Sequence, residues 1–197
     1  MENIAWDECY LRKDTPWDKG SAAPPLVEYL ENGVIEGRVL EPGCARGHDV
    51  RVLAEKGAEV VGFDISPTAI EAAEAAVRVG SEKYMVGDLF NPPAGFSGMF
   101  DFIVEHTCVS ALPPELRDSY GEQMFRYLKP GGKFFGIFYI NPWDEGEEAA
   151  PPPWGITREE ILAMFSGRLE LIKEWVPSLA YPGREERELV CLFSKNP

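Results

Sequence analysis

The chain has 197 residues, 45% of them hydrophobic, enough to bury one substantial core, so a single domain over residues 1–197 is expected. Its 33 acidic against 19 basic residues leave a formal charge of −14, a field that repels phosphate backbones and excludes nucleic acid as an expected partner. The 4 cysteines show no CxxC and no metal spacing, and the sequence has neither a leader signal nor an apolar run of membrane-spanning length. A cytoplasmic, metal-free monomer with reduced thiols and no membrane contact is therefore expected.

In chain order, "WDECYLRKDTPWDKG" at 6–20 comes first, two tryptophans and a tyrosine in a segment too polar and too short to be a domain. Pro16 fixes the backbone before Trp17 and Gly20 frees it after, so residues 1–36 are expected to form an N-terminal lid and helix. Residues 38–41 read as a short strand entering a glycine loop. Residues 49–56 carry Val50, Leu53 and Ala54 on one helical face and stop at Gly57. A strand at 59–63 precedes Ser66, an N-cap with Pro67 behind it, which opens an alanine-rich helix to about Val79. Strands are expected at 84–86 and 100–104, a helix over 113–128, a turn at "KPGG" and a fifth strand at 133–139. The acidic, proline-rich 141–155 must be surface loop, with a solvated lid hinge over 144–148. Thr157 and Glu160 frame a capping box for a helix through Phe165, and "RLELIKEW" and "RELVCLFS" read as a closing antiparallel pair. Apolar strands alternating with amphipathic helices demand an α/β fold: a doubly wound, mainly parallel seven-stranded sheet, Rossmann-like.

Ligands in such sheets sit at the carboxyl ends of strands, where "GRVLEPGCARGHDV" places its loop. A dinucleotide fingerprint would read G-x-G-x-x-G, whereas here Gly43, Ala45 and Gly47 follow Glu41 and the third glycine is missing. A carboxylate there suits a cation, the ammonium or sulfonium of S-adenosylmethionine, better than a pyrophosphate. Asp64 ends the second strand, where an acid accepts from ribose hydroxyls. Asp88 ends the third, placed for the adenine amino group with Leu89 over the ring, and Glu105 ends the fourth. Four acids at four strand ends outline a groove for a nucleoside and a cation without phosphates.

The segments "WDECY", "TPWDKG", "VLEPGCARGHDV", "VVGFDIS", "GDLF", "FDFIVEHTCVSALPPELR", "YLKPGG" and "PPPWGIT", taken in order, cover nearly the whole chain. They resemble the class I S-adenosylmethionine-dependent methyltransferases, and within them the thiopurine S-methyltransferase family on its halide/thiol branch. The resemblance implies S-adenosyl-L-methionine as cofactor, with Trp6 and Trp17 in a lid over it. It implies Gly43 at the methionine part, Asp64 on the ribose, and His106 in the cofactor-contacting segment after strand four. The family often has arginine at the His106 position and glycine at that of Ala45, so both are departures.

Bland readings stand beside these. Trp6 and Trp17 suit core packing as well as a cation–π surface for the sulfonium. Tyr139 closes strand five, either facing the transferred methyl as a catalytic group or anchoring a sheet edge. His48 reads as a surface residue, and Cys44 and Cys108 as small packing residues. Methyl transfer from a sulfonium needs alignment and desolvation, and a thiol of pKa near ~8.5 supplies some thiolate unaided. That fits a sequence with no obvious His–Asp base pair. The expected function is methyl transfer to a small-molecule thiol, bisulfide, halide or thiopurine-like acceptor. Rival readings are a Rossmann oxidoreductase, against which Glu41 and the missing glycine argue, and a non-catalytic S-adenosylmethionine-binding protein.

Overall fold

A computed structural model describes residues 5–144, 146, 148 and 150–197. The strands are β1 (Arg38–Pro42), β2 (Glu59–Asp64), β3 (Ser81–Val86), β4 (Phe100–His106), β5 (Leu128–Tyr139), β6 (Glu170–Trp175) and β7 (Glu188–Ser194). The helices are α1 (Trp6–Arg12), α2 (Pro24–Tyr29), α3 (His48–Glu55), α4 (Pro67–Glu74), α5 (Arg117–Tyr127) and α6 (Arg158–Phe165). One sheet runs in the order β3-β2-β1-β4-β5-β7-β6. Strands β1 to β5 pair in parallel, while β7 is antiparallel to both β5 and β6. The doubly wound, seven-stranded expectation and its closing antiparallel pair therefore hold. Strand order reverses between β1 and β4, which makes the crevice at their carboxyl ends the switch point.

Successive side chains of a strand point to opposite faces. Leu40, Ile103 and Phe134 accordingly join one apolar layer with Tyr120, Met124, Ile161 and Phe165. Val39, Val104 and Phe135 join the other with Leu26, Val50 and Leu53. Both faces are covered, which is why the central strands read as continuous apolar runs. No helix among the described residues is long and apolar enough to cross a membrane.

Several boundaries differ from the sequence reading. Helix α4 stops at Glu74 rather than near Val79, and the Glu82 carboxylate takes the Val79 and Gly80 N–H groups, each at 2.8 Å, where the chain turns into an earlier start for β3. The expected 113–128 helix divides, since Pro113 and Pro114 open a 3-10 turn before α5 begins at Arg117. "KPGG" falls within the span of β5, but the pairing with β4 jumps across it from Leu128 to Lys133, with Gly131 at φ +75°. Asp88 stands two residues beyond β3, and Glu105 lies within β4, which extends to His106. The Thr157–Glu160 capping box forms with both reciprocal bonds. Of the expected hinge, Glu145 and Glu147 lie outside the described residues, and Asp144 pairs with Arg187.

Candidate active site

Where β1 ends, the backbone turns back on itself through three left-handed residues, Gly43 at φ +64°, Ala45 at +48° and Gly47 at +67°, to launch α3. Space as well as torsion selects glycine here. A Cβ on Gly43 would lie 2.8 Å from Cys108 Sγ, and one on Gly47 would lie 2.5 Å from the Tyr84 ring. Ala45 holds its unfavourable torsion because its N–H donates to Asp64 Oδ2 at 2.9 Å. The Gly43 N–H donates to the Phe63 carbonyl at 2.7 Å, so the loop is fastened to the end of β2 twice.

Asp64 is buried and organises this corner. Its other oxygen accepts the Ser66 N–H at 2.9 Å. Burial raises its pKa, and the backbone donors from Ser66 and Ala45 oppose that rise. Each carboxylate oxygen retains acceptor capacity for a further hydroxyl. Glu41 is more exacting. It is 5% exposed, and its Oε2 is buried with no hydrogen-bond partner among the described residues. Burial, with Asp49, Asp64 and Glu105 adding repulsion against the opposing Arg51, lifts its pKa well above the usual carboxylate range. A buried acid without a partner is unfavourable until a cation or donor reaches it, so this corner fits the ammonium or sulfonium of S-adenosylmethionine.

The remaining acids have local duties. Asp88 accepts the Phe90 N–H at 2.8 Å and the Asn91 side-chain amide at 2.7 Å, closing a turn past β3. Beside it the Leu89 carbonyl accepts the Tyr127 hydroxyl, and the Leu89 side chain packs on the core. Glu105 is fully buried, accepting the Tyr120 hydroxyl at 2.5 Å and the Val109 N–H at 3.1 Å, so it pins the turn after β4. Burial pushes its pKa up to about 7.

The N-terminal segment docks on the glycine loop. Trp17 meets Trp6 edge-on at 5.4 Å and Tyr10 at 5.7 Å, and its indole N–H donates to the Tyr10 hydroxyl at 3.1 Å. Asp18 contacts Arg46 at 3.2 Å and His48 at 3.0 Å, both on the loop or its helix. His48, expected to be a plain surface residue, is thus half-buried as a partner of this segment. Asp7 reaches α4, accepting from Ser66 Oγ at 2.6 Å and the Thr68 N–H at 2.9 Å.

On the far side of the crevice, His106 ends β4 with Nδ1 2.9 Å from Asp49 Oδ2, and its ring lies on that of Tyr181 at 5.9 Å. Sequence reasoning found no His–Asp pair because the two stand 57 positions apart, and Asp49 looks like an ordinary first-turn acid of α3. Arg184 lies over the rings of Tyr139 at 4.6 Å and Tyr181 at 5.6 Å, with buried Glu188 at 3.2 Å. Tyr139 is half-buried and also engages Arg187. Asp7, Asp49, Tyr181 and Arg184 carried no sequence signal. A depression of about 630 Å³ at the opposite edge of the sheet holds Asp101, already bonded to the Arg38 N–H and to Lys129.

The profile of the family described as thiopurine S-methyltransferase matches residues 1–190. The chain belongs to the thiopurine S-methyltransferase family. It is accordingly an S-adenosylmethionine-dependent methyltransferase, and Glu41 Oε2, unpartnered among the described residues, suits that donor. A thiocyanate methyltransferase 1 of Brassica oleracea is 33% identical over 91% of this chain and 80% of its own length. Its namesake in Arabidopsis thaliana is 30% identical over 99% and 86%. Among solved structures, a protein from work on conversion of a disulfide bond into a thioacetal group during echinomycin biosynthesis superposes with a TM-score of 0.79. It is 23% identical, over 97% of this chain and 91% of its own, and shares the fold.

Proposed function

We propose that this family member transfers the methyl group to a small sulfur or halide acceptor: a thiol, bisulfide, a halide or a thiopurine-like thiol. The observation that carries the donor assignment is Glu41 Oε2, buried without a partner at the end of β1. A pyrophosphate would oppose ionisation of this acid, whereas a cationic donor stabilises its ionised form. S-Adenosylmethionine supplies an electrophilic methyl on a sulfonium when bound. Glu41, Gly43 and Gly47 hold its methionine end, Asp64 its ribose, and Asp88 and Leu89 border its base. Glu105 acts behind them by fixing the turn after β4.

The acceptor assignment is supported by the relatives, which are named for thiocyanate, and by the other half of the crevice. There Tyr139, Tyr181 and Arg184 form a compact aromatic and cationic wall suited to a small anion rather than a macromolecule. Tyr139 stands as the acceptor-side residue. The segment up to residue 36 serves as a lid within a single domain, with Trp6 and Trp17 excluding water from the reacting atoms. A charge of −14 agrees with a cytoplasmic monomer that engages neither nucleic acid nor membrane.

The test is a screen with labelled methyl donor against iodide, bisulfide, thiocyanate, an aryl thiol and a thiopurine, beside nucleic acid and protein. Label is expected in the volatile or small-molecule fractions. Label confined to the macromolecules would remove the acceptor assignment.

A further inference from the structure

We propose that His106 is a general base for this reaction, its Nε2 taking the proton of a neutral thiol or hydroxyl acceptor, with Asp49 as the positioning residue. The inference rests on the methyl-transfer reading above. A carboxylate can only accept, so the 2.9 Å contact between His106 Nδ1 and Asp49 Oδ2 places a ring proton on Nδ1, and in the neutral imidazole the lone pair is then on Nε2. Asp49 cannot swing away. Its side chain is 4% exposed, and its second oxygen accepts the Ala23 N–H at 2.6 Å. Tyr181 fixes the ring from the side, its own hydroxyl donating to the Ser21 carbonyl at 2.6 Å.

Two observations separate a base from a histidine that merely ties α3 to β4. Nε2 is buried yet has no hydrogen-bond partner among the described residues, and a buried polar nitrogen left unpaired requires an explanation that a tether does not provide. His106 also occupies the last position of β4, in register with Ile137 of β5. A nucleoside spanning the Gly43 loop and Asp64 covers the ends of β1 and β2. The acceptor must then approach from the β4–β5 side, where His106 ends β4 with its side chain 14% exposed. The charged and titratable groups around the ring are Asp49 from α3, Glu105 from β4, and Tyr181, which faces Arg184, with Glu188 of β7 behind it.

In the step, the acceptor sulfur bonds to the methyl carbon as the bond from that carbon to the sulfonium sulfur breaks, its electron pair remaining on the departing thioether. The acceptor proton passes to Nε2, and Asp49 stabilises the imidazolium. Permanent anions need none of this, so the dyad extends the acceptor range to groups that are neutral at working pH.

The experiment compares the full chain with His106→Asn and Asp49→Asn, using S-adenosylmethionine with iodide or with an alkyl thiol between pH 6 and 8. Asparagine at 106 keeps a donor toward Asp49 but offers no base. Asparagine at 49 donates to Nδ1 and forces the proton onto Nε2. In both variants kcat on the thiol should fall ~100-fold more than kcat on iodide, with the thiol pH profile reduced to the acceptor's own ionisation. A second readout needs no turnover. The chain has 2 histidines, so ¹⁵N spectra resolve the ring tautomers, with the proton on Nδ1 of His106 in the parent and on Nε2 in Asp49→Asn. If His106→Asn fails the circular dichroism check, Asp49→Asn and the spectra decide. Equal losses on iodide and thiol, or an Nε2–H tautomer in the parent, overturn the base. A parent that methylates neither acceptor overturns the function reading itself and the base with it.

Discussion

Asp7 and Ser66 stand 59 positions apart and are joined by a 2.6 Å hydrogen bond, and the same Asp7 oxygen accepts the Thr68 N–H at 2.9 Å. A side chain from α1 thus occupies the amino terminus of α4, where backbone N–H groups and the helix dipole both favour a carboxylate. The Ser66 hydroxyl is the largest influence holding the Asp7 pKa below its ordinary value. Ser66 in turn accepts the Ala69 N–H at 3.0 Å and gives its own N–H to Asp64. The relay links the N-terminal segment to Asp64 at the end of β2 through three residues.

That relay predicts a loosened lid in Asp7→Ala. Limited proteolysis within residues 5–20 should accelerate and S-adenosylhomocysteine should bind several-fold more weakly, while far-UV circular dichroism stays near that of the parent. Because the Asp7 pKa is depressed on folding, its contribution is present at neutral pH and disappears as pH falls through the folded value. Trp17→Ala should weaken donor binding by ~0.5–2 kcal/mol if its ring faces the sulfonium. Unchanged affinity in both variants returns Trp6, Tyr10 and Trp17 to simple packing.

Asp64→Ala should weaken S-adenosylhomocysteine binding by ~1.5–3 kcal/mol, the range for charge-assisted hydrogen bonds. It also frees the Ala45 N–H and with it the loop. Thermal melts should show stabilisation of the parent by S-adenosylmethionine and S-adenosylhomocysteine but not by NAD or NADP. A shift with NAD and none with the methyl donor would falsify the site assignment.

Glu41 should release a proton when the donor binds. Burial raises its pKa in the free protein, and an arriving cation favours the ionised form and lowers it again. Calorimetry in buffers of different ionisation enthalpy should detect the released proton at neutral pH or below. In Glu41→Gln the buffer dependence should vanish. A parent whose binding heat is buffer-independent throughout that range contradicts the reading of Glu41.

Glu105 makes a pH prediction for the fold. Its pKa rises from the ordinary glutamate value of 4.5 to about 7, so between these values the native state holds a proton that the unfolded chain has lost. Its contribution is therefore fully present below the unfolded value and is lost as pH rises through 7, by roughly 3 kcal/mol in total. Glu105→Gln keeps an acceptor for the Val109 N–H and a donor toward Tyr120. Denaturant titrations at pH 5 and pH 8 should show a smaller difference for the variant than for the parent. Equal differences would mean that Glu105 titrates normally.

Local order in the chain determined the frame. Apolar runs at 59–63, 100–104 and 133–139 announce strands covered on both faces, Ser66 with Pro67 and Thr157 with Glu160 announce helix starts, and Gly43 and Gly47 announce the left-handed loop after β1. These are legible because each depends on spacing within a few residues, through strand alternation, cap geometry or the absence of a Cβ. Where a side chain elsewhere captured the backbone, local reading failed. Glu82 holds the Val79 and Gly80 N–H groups where the expected α4 would continue, and Glu105 is engaged by the Tyr120 hydroxyl and the Val109 N–H. The same physics built what no spacing could show. Asp7 on Ser66, Asp18 on His48, and Asp49 on His106 each join residues 30 or more positions apart. A carboxylate in sequence is only a charge. Which N–H, hydroxyl or imidazole it meets, and whether water remains to compete, is decided by the sheet that brings β1, β2 and β4 to one edge.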